Sequence, residues 1–143
     1  MSLPAPVQGL VIRYSYLWRR DFLAGNEEGV KDRPCAVILT VRSEDGEDIV
    51  TVLPITRSPQ NDPRTAIELP AATKRRLGLD AVRSWVVLDE ANQFIWPGPD
   101  LRPVPGKARF DYGLLPADLM NEIRDKVIAL LKARRVASAR RTR

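Results

Sequence analysis

Residues 35–55 constrain the fold more than any other stretch of the chain. Cys35 to Val41 is an almost unbroken apolar run. The polar stretch Ser43-Glu-Asp-Gly-Glu-Asp48 follows, with Asp45-Gly46 at its centre, and Ile49 to Ile55 turns apolar again. An Asp-Gly pair between two apolar runs suits the positive backbone angles of a tight hairpin. The segment therefore reads as two antiparallel strands. The continuous apolar character of the first predicts burial on both faces. Pro54 has no N–H to give to a ladder, so the returning strand should end, bulge or reach a sheet edge there.

The flanking sequence adds more strands than helices. Gly9 to Trp18 alternates, with Ile12, Tyr14, Tyr16 and Trp18 on one face and Val11, Arg13, Ser15 and Leu17 on the other; this is strand periodicity. Arg19–Asp32 and Arg57–Arg64 read as polar loops. Thr65–Leu69 is a short strand, and Pro70–Leu77 a short helix stopped by Gly78. Ser84–Leu88 and Gln93–Trp96 read as strands around a turn at Asp89–Asn92. Residues 97–106 hold four prolines and two glycines, which makes them a connector. Leu119, Met120, Ile123, Val127, Leu130 and Leu131 recur on one helical stripe, predicting an amphipathic helix over about 116–135. The expected architecture is mainly β: five or six short strands in a small antiparallel barrel or curled sheet, closed by that helix. Strands and helices do not alternate, which argues against a doubly wound parallel sheet.

A chain of 143 residues with 44% apolar content suits one globular domain, here taken as residues 1–131. No apolar run reaches the roughly 18 residues of a membrane span, and residues 1–8 lack the features of a signal peptide. A cytoplasmic protein without membrane contact is expected. There is no histidine and one cysteine. That excludes an internal disulfide, thiolate metal clusters and histidine-based nucleophile systems, so neither metal nor cofactor is expected. Cys35, inside an apolar strand, reads as a buried, inert thiol. No phosphate-binding glycine loop is present. Residues 132–143 carry six cations and no acid, which leaves net −1 on the rest of a chain whose total is +5. Beyond the helix end, this basic tail reads either as a flexible solvated segment or as a nucleic-acid arm.

Two polar residues stand at the ends of neighbouring strands. Arg33 precedes Pro34 at the mouth of one, and Thr56 closes the next. Arginine offers a permanently charged fork that matches phosphate oxygens. A threonine hydroxyl can donate to the same group. RNA brings its own 2′-hydroxyl nucleophile, so positioning and neutralisation are most of what cleavage requires. Glu28 or Asp89 is the candidate acceptor of that hydroxyl's proton. Tyr14, Tyr16 and Trp18 offer rings to stack on bases, and Arg57 a cation for the backbone. The same residues have plainer uses: Arg33 and Thr56 as polar strand ends, the aromatics as core.

In order and spacing, the opening strand, the approach from Glu28 to Arg33-Pro34, the strand end Pro54-Ile55-Thr56, the strand Ser84-Trp85-Val86-Val87-Leu88-Asp89 and the final helix together resemble the MazF/PemK family of toxin–antitoxin ribonucleases. The likeness runs from Gly9 to about Leu131. It implies an SH3-like barrel with attached helices, usually a homodimer, that cuts single-stranded RNA without a metal and thereby inhibits growth. The expected products bear 2′,3′-cyclic phosphate and 5′-hydroxyl ends, and the expected partner is a cognate antitoxin that blocks the RNA groove. By resemblance Arg33 and Thr56 are the catalytic pair, Glu28 the acid of the first loop and Asp89 the aspartate of the late strand. Glu90 stands where some members have glutamine, and Val87 where one relative has another arginine. The competing expectations are a catalytically inactive relative that binds nucleic acid or protein, and a structural barrel whose helix packs a dimer.

Overall fold

In the computed structural model, residues 3–25, 31–133 and 136–141 are described. The chain is mainly β, with three helices. In order, the elements are β1 (Leu10–Ser15), α1 (Arg19–Leu23), β2 (Asp32–Arg42), β3 (Asp48–Thr56), β4 (Ala66–Glu68), α2 (Ala71–Leu77), β5 (Trp85–Val87), β6 (Glu90–Ile95), β7 (Leu101–Arg102), β8 (Asp111–Leu114), α3 (Ala117–Lys132) and β9 (Ala137–Arg140).

The expected hairpin is the spine. β2 and β3 pair antiparallel from Cys35↔Pro54 to Arg42↔Asp48, around a turn in which Gly46 has φ 82°. β3 changes partner along its length: Ile49–Val52 pair with β6, and Ile55–Thr56 pair with β5. Pro54 lies in the gap between those partners, where a missing N–H leaves no ladder bond unmade. β1 pairs with β2 and shares its other edge between β7 and β8. All pairings are antiparallel except β6 with β9.

The sheet curls without closing. β1 and β6 are separated by β2 and β3, so a flat sheet would hold them about 14 Å apart at about 4.8 Å per strand. Yet the Tyr14 and Phe94 rings stack with centroids 4.6 Å apart, and Asn92 bonds to the backbone of Leu17. Side chains, not a ladder, bridge β1 to β6. The concave face encloses Ile12, Tyr14, Tyr16, Cys35, Val37, Val50, Val52 and Phe94. The opposite face packs Val11, Ala36, Leu53, Ile55 and Val86 against the α3 stripe of Leu119, Met120, Ile123, Val127 and Leu130.

Several expectations need correcting. β2 is buried only through Cys35–Val37; Leu39 and Val41 are about half exposed, because the hairpin arm runs beyond the packed layers. Glu90, Ala91 and Asn92 lie in β6 rather than in a turn. Arg19–Leu23 is a helical turn within the expected loop. Leu131 faces solvent rather than the core. The segment after α3 is not a free tail over residues 137–141: β9 adds a parallel strand to β6, and Arg141 is buried. The predicted short helix forms as Ala71–Leu77, capped by Gly78 in the left-handed conformation.

Candidate anion-binding site at the mouth of the curled sheet

Strand register places the candidate pair. Tyr14 is opposite Arg33, and Cys35 is opposite Pro54. Two residues past that second pair stand Arg33 on β2 and Thr56 on β3. Side chains two apart share a face, so both belong to the concave side, at the open end of its apolar core. Thr56 is 5% exposed. Its Oγ1 accepts the Ser58 N–H at 3.1 Å, and among the described residues its own proton has no acceptor. The hydroxyl proton is therefore uncommitted.

The Arg33 guanidinium lies over Trp18, with Cζ 4.9 Å from the ring centroid. Its Nε is buried with no hydrogen-bond partner, and no carboxylate pairs with it among the described residues. Burial holds its pKa below the ordinary value, and the cations Arg20 and Arg57 act in the same direction. A guanidinium nonetheless stays charged. An unsatisfied buried donor with two further cations near it is an unfavourable arrangement that an anion relieves. Arg57 is mostly exposed, with Nη1 3.6 Å from Asp80 Oδ2.

The aromatics divide. Trp18 is partly exposed, with the Arg33 guanidinium over its ring. Tyr16 is 1% exposed and its hydroxyl donates to Glu90 Oε1 at 3.1 Å. Tyr14 is equally buried. Neither tyrosine presents a face for stacking, because both rings fill the concave core. Tyr16 meets Trp18 edge-on at 5.1 Å and so supports the ring that carries Arg33.

The carboxylates divide as well. Glu28 lies outside the described residues. Asp89 precedes β6; its carbonyl accepts the Ala137 N–H at 2.9 Å, and its carboxylate pairs with no cation among the described residues. The acid brought into the cluster is Glu90. It shares the concave face with Asn92 and Phe94, and Oε1 accepts both the Tyr16 hydroxyl and the Arg19 N–H, the latter at 3.0 Å. Burial pushes its carboxyl above the ordinary range. Reading residues 89–92 as a turn concealed it; an alternation over Glu90, Asn92 and Phe94 was the available signal.

A buried polar seam holds this end of the sheet. Asn92 Oδ1 accepts the Leu17 N–H and Arg141 Nη1, each at 2.8 Å, and Asn92 Nδ2 donates to the Leu17 carbonyl. Arg141 also donates to the Ser15 carbonyl at 3.1 Å and pairs with Asp100 Oδ2 at 3.0 Å. No cluster of three or more potential metal ligands occurs among the described residues. Comparison with known proteins returned no matching family model and no matching curated protein.

Proposed function

We propose that the chain is a metal-independent endoribonuclease, the toxin of a type II toxin–antitoxin module, which cuts single-stranded RNA to 2′,3′-cyclic phosphate and 5′-hydroxyl ends. One observation carries the reading: an arginine with an unsatisfied buried donor and a threonine with an unused proton face the same way on adjacent strands. Arg33 offsets the added negative charge on the pentacoordinate phosphorus, and Thr56 donates to a phosphate oxygen. Trp18 offers a ring for a base, and Arg20 and Arg57 attract the flanking backbone. The order of residues shared with the MazF/PemK family supports this assignment. The curled sheet with its C-terminal helix supports an SH3-like barrel, its last seam made of side chains. A second copy of the chain and an antitoxin are the partners that go with the reading, and the cytoplasm its compartment. No described helix is long and apolar enough to cross a membrane.

The test is incubation of the purified protein with a long unstructured RNA in chelator, beside Arg33→Ala and Thr56→Ala. Discrete cuts ending in cyclic phosphate are expected from the unaltered protein. Each variant should lose about 100-fold or more in rate while still unfolding cooperatively. Undiminished cleavage by both variants, or binding of RNA by a folded protein without scission, overturns the assignment.

A further inference from the structure

Resting on the ribonuclease reading, we infer that Glu90 accepts the proton of the attacking 2′-hydroxyl. Three placements carry this. Glu90 stands on the concave face shared with Arg33 and Thr56, in step with Asn92 and Phe94 along β6. Both of its hydrogen bonds among the described residues land on Oε1, from Tyr16 and Arg19, so the carboxylate is held by one oxygen and Oε2 is left to take a proton. Continuous packing ties it to the phosphate-binding group: Glu90 to Tyr16, the Tyr16 ring to Trp18, and Trp18 to the Arg33 guanidinium.

The electrostatics suit the role. Desolvation and the like charge of Asp89 raise the affinity of Glu90 for a proton; the Arg19 N–H, the Tyr16 hydroxyl and Arg20 lower it, and the net direction is upward. An acceptor moved toward the working pH is a better base than an ordinary surface carboxylate. In the step itself, the 2′-oxygen gives its proton to Glu90 Oε2 and its electron pair forms the bond to phosphorus. The bond from phosphorus to the 5′-oxygen breaks, and the 5′-oxygen takes a proton from water. Glu90 then returns its proton to the hydroxide left behind.

The decisive variant is Glu90→Gln, whose Oε1 still accepts from Tyr16 and Arg19 but which does not titrate. Cleavage of the same RNA in chelator is followed from pH 4 to pH 9 for the unaltered protein, Glu90→Gln, Glu28→Gln and Tyr16→Phe. Glu90→Gln should be slowed about 100-fold or more and should lose the fall in rate at acid pH, while melting no lower than the unaltered protein. Tyr16→Phe removes a bond that favours the charged carboxylate, so it should move that acid limb to higher pH. Glu90→Gln with an unaltered rate and acid limb overturns the role of Glu90 alone, as does loss of the limb in Glu28→Gln only. Absence of any cut by the unaltered protein overturns the ribonuclease reading, and this inference with it.

Discussion

At the scale of single residues, Arg33 is defined as much by what surrounds it as by its charge. Its guanidinium is stacked on Trp18 and partly desolvated, with one donor unsatisfied. A lysine keeps the charge but has no planar fork and stacks poorly on a ring. Arg33→Lys should therefore keep most of the salt-dependent attraction for RNA and still lose cleavage by about 10-fold or more. Filter binding across a salt series beside a cleavage assay separates the two; parallel losses in both would show that only charge mattered. The residue type of Arg33, its position before Pro34 and its strand context were all legible in the sequence. Its orphaned Nε was not, because it depends on where Trp18 and Tyr16 come to rest.

At the scale of elements, α3 and β9 are opposites. The α3 stripe is written locally, as apolar residues three and four apart, and five of the six predicted positions are buried. β9 is Ala-Ser-Ala-Arg, with neither strand propensity nor alternation strong enough to announce it. Its position comes from the edge of β6 and from Arg141, which reaches Asn92, Asp100 and the Ser15 carbonyl at once. The Arg141 and Asp100 side chains are both well buried, at 1% and 13% exposed. Removing one member of such a pair leaves an uncompensated charge, so Arg141→Met should lose about 3–5 kcal/mol of stability. The exposed neighbour Arg140 is the control; Arg140→Met should change stability by about 0.5 kcal/mol or less. Urea unfolding measures both. Amide exchange should quicken at Leu17 in the first variant alone, since the same seam holds that N–H.

At the scale of the whole molecule, opposing carboxylates shape the dependence of stability on pH. The Lys74 ammonium, which donates to Asp80 Oδ1 and the Ser84 hydroxyl, holds the Asp80 carboxyl below its ordinary value of 3.8. That stabilisation is present above pH 3.8 and is lost as pH falls through the lower, folded value. Glu90 has the reverse sign. Its carboxyl is raised above 4.5 when folded, so the native state binds the proton more tightly than the unfolded chain. Stability therefore declines as pH rises from about 4.5 through the folded value, and the penalty is complete above it. Glu90→Gln should flatten this decline, leaving the loss on the Asp80 side below pH 3.8. Urea midpoints at half-unit intervals from pH 3 to pH 8 test the sign: equal slopes for both proteins between pH 4.5 and neutrality would contradict it.

The sequence by itself determined what short-range physics controls. The Asp45-Gly46 turn between two apolar runs specifies the β2–β3 hairpin, Gly78 ends α2, and the apolar stripe makes α3. The absence of histidine narrowed the chemistry before any fold was known. The order of Arg33 and Thr56 put them at the ends of successive strands, but their common face was decided by the pairing register, which shifts between Val37 and Leu39. Only the tertiary structure decided the curl that brings β1 against β6, the entry of Arg141 into the seam, and the choice of Glu90 over Asp89 as the acid beside Tyr16. Those contacts join Tyr16 to Glu90 and Ser15 to Arg141 across most of the chain. Local preference carries no information about them; they follow from how the sheet must bend to bury both of its faces.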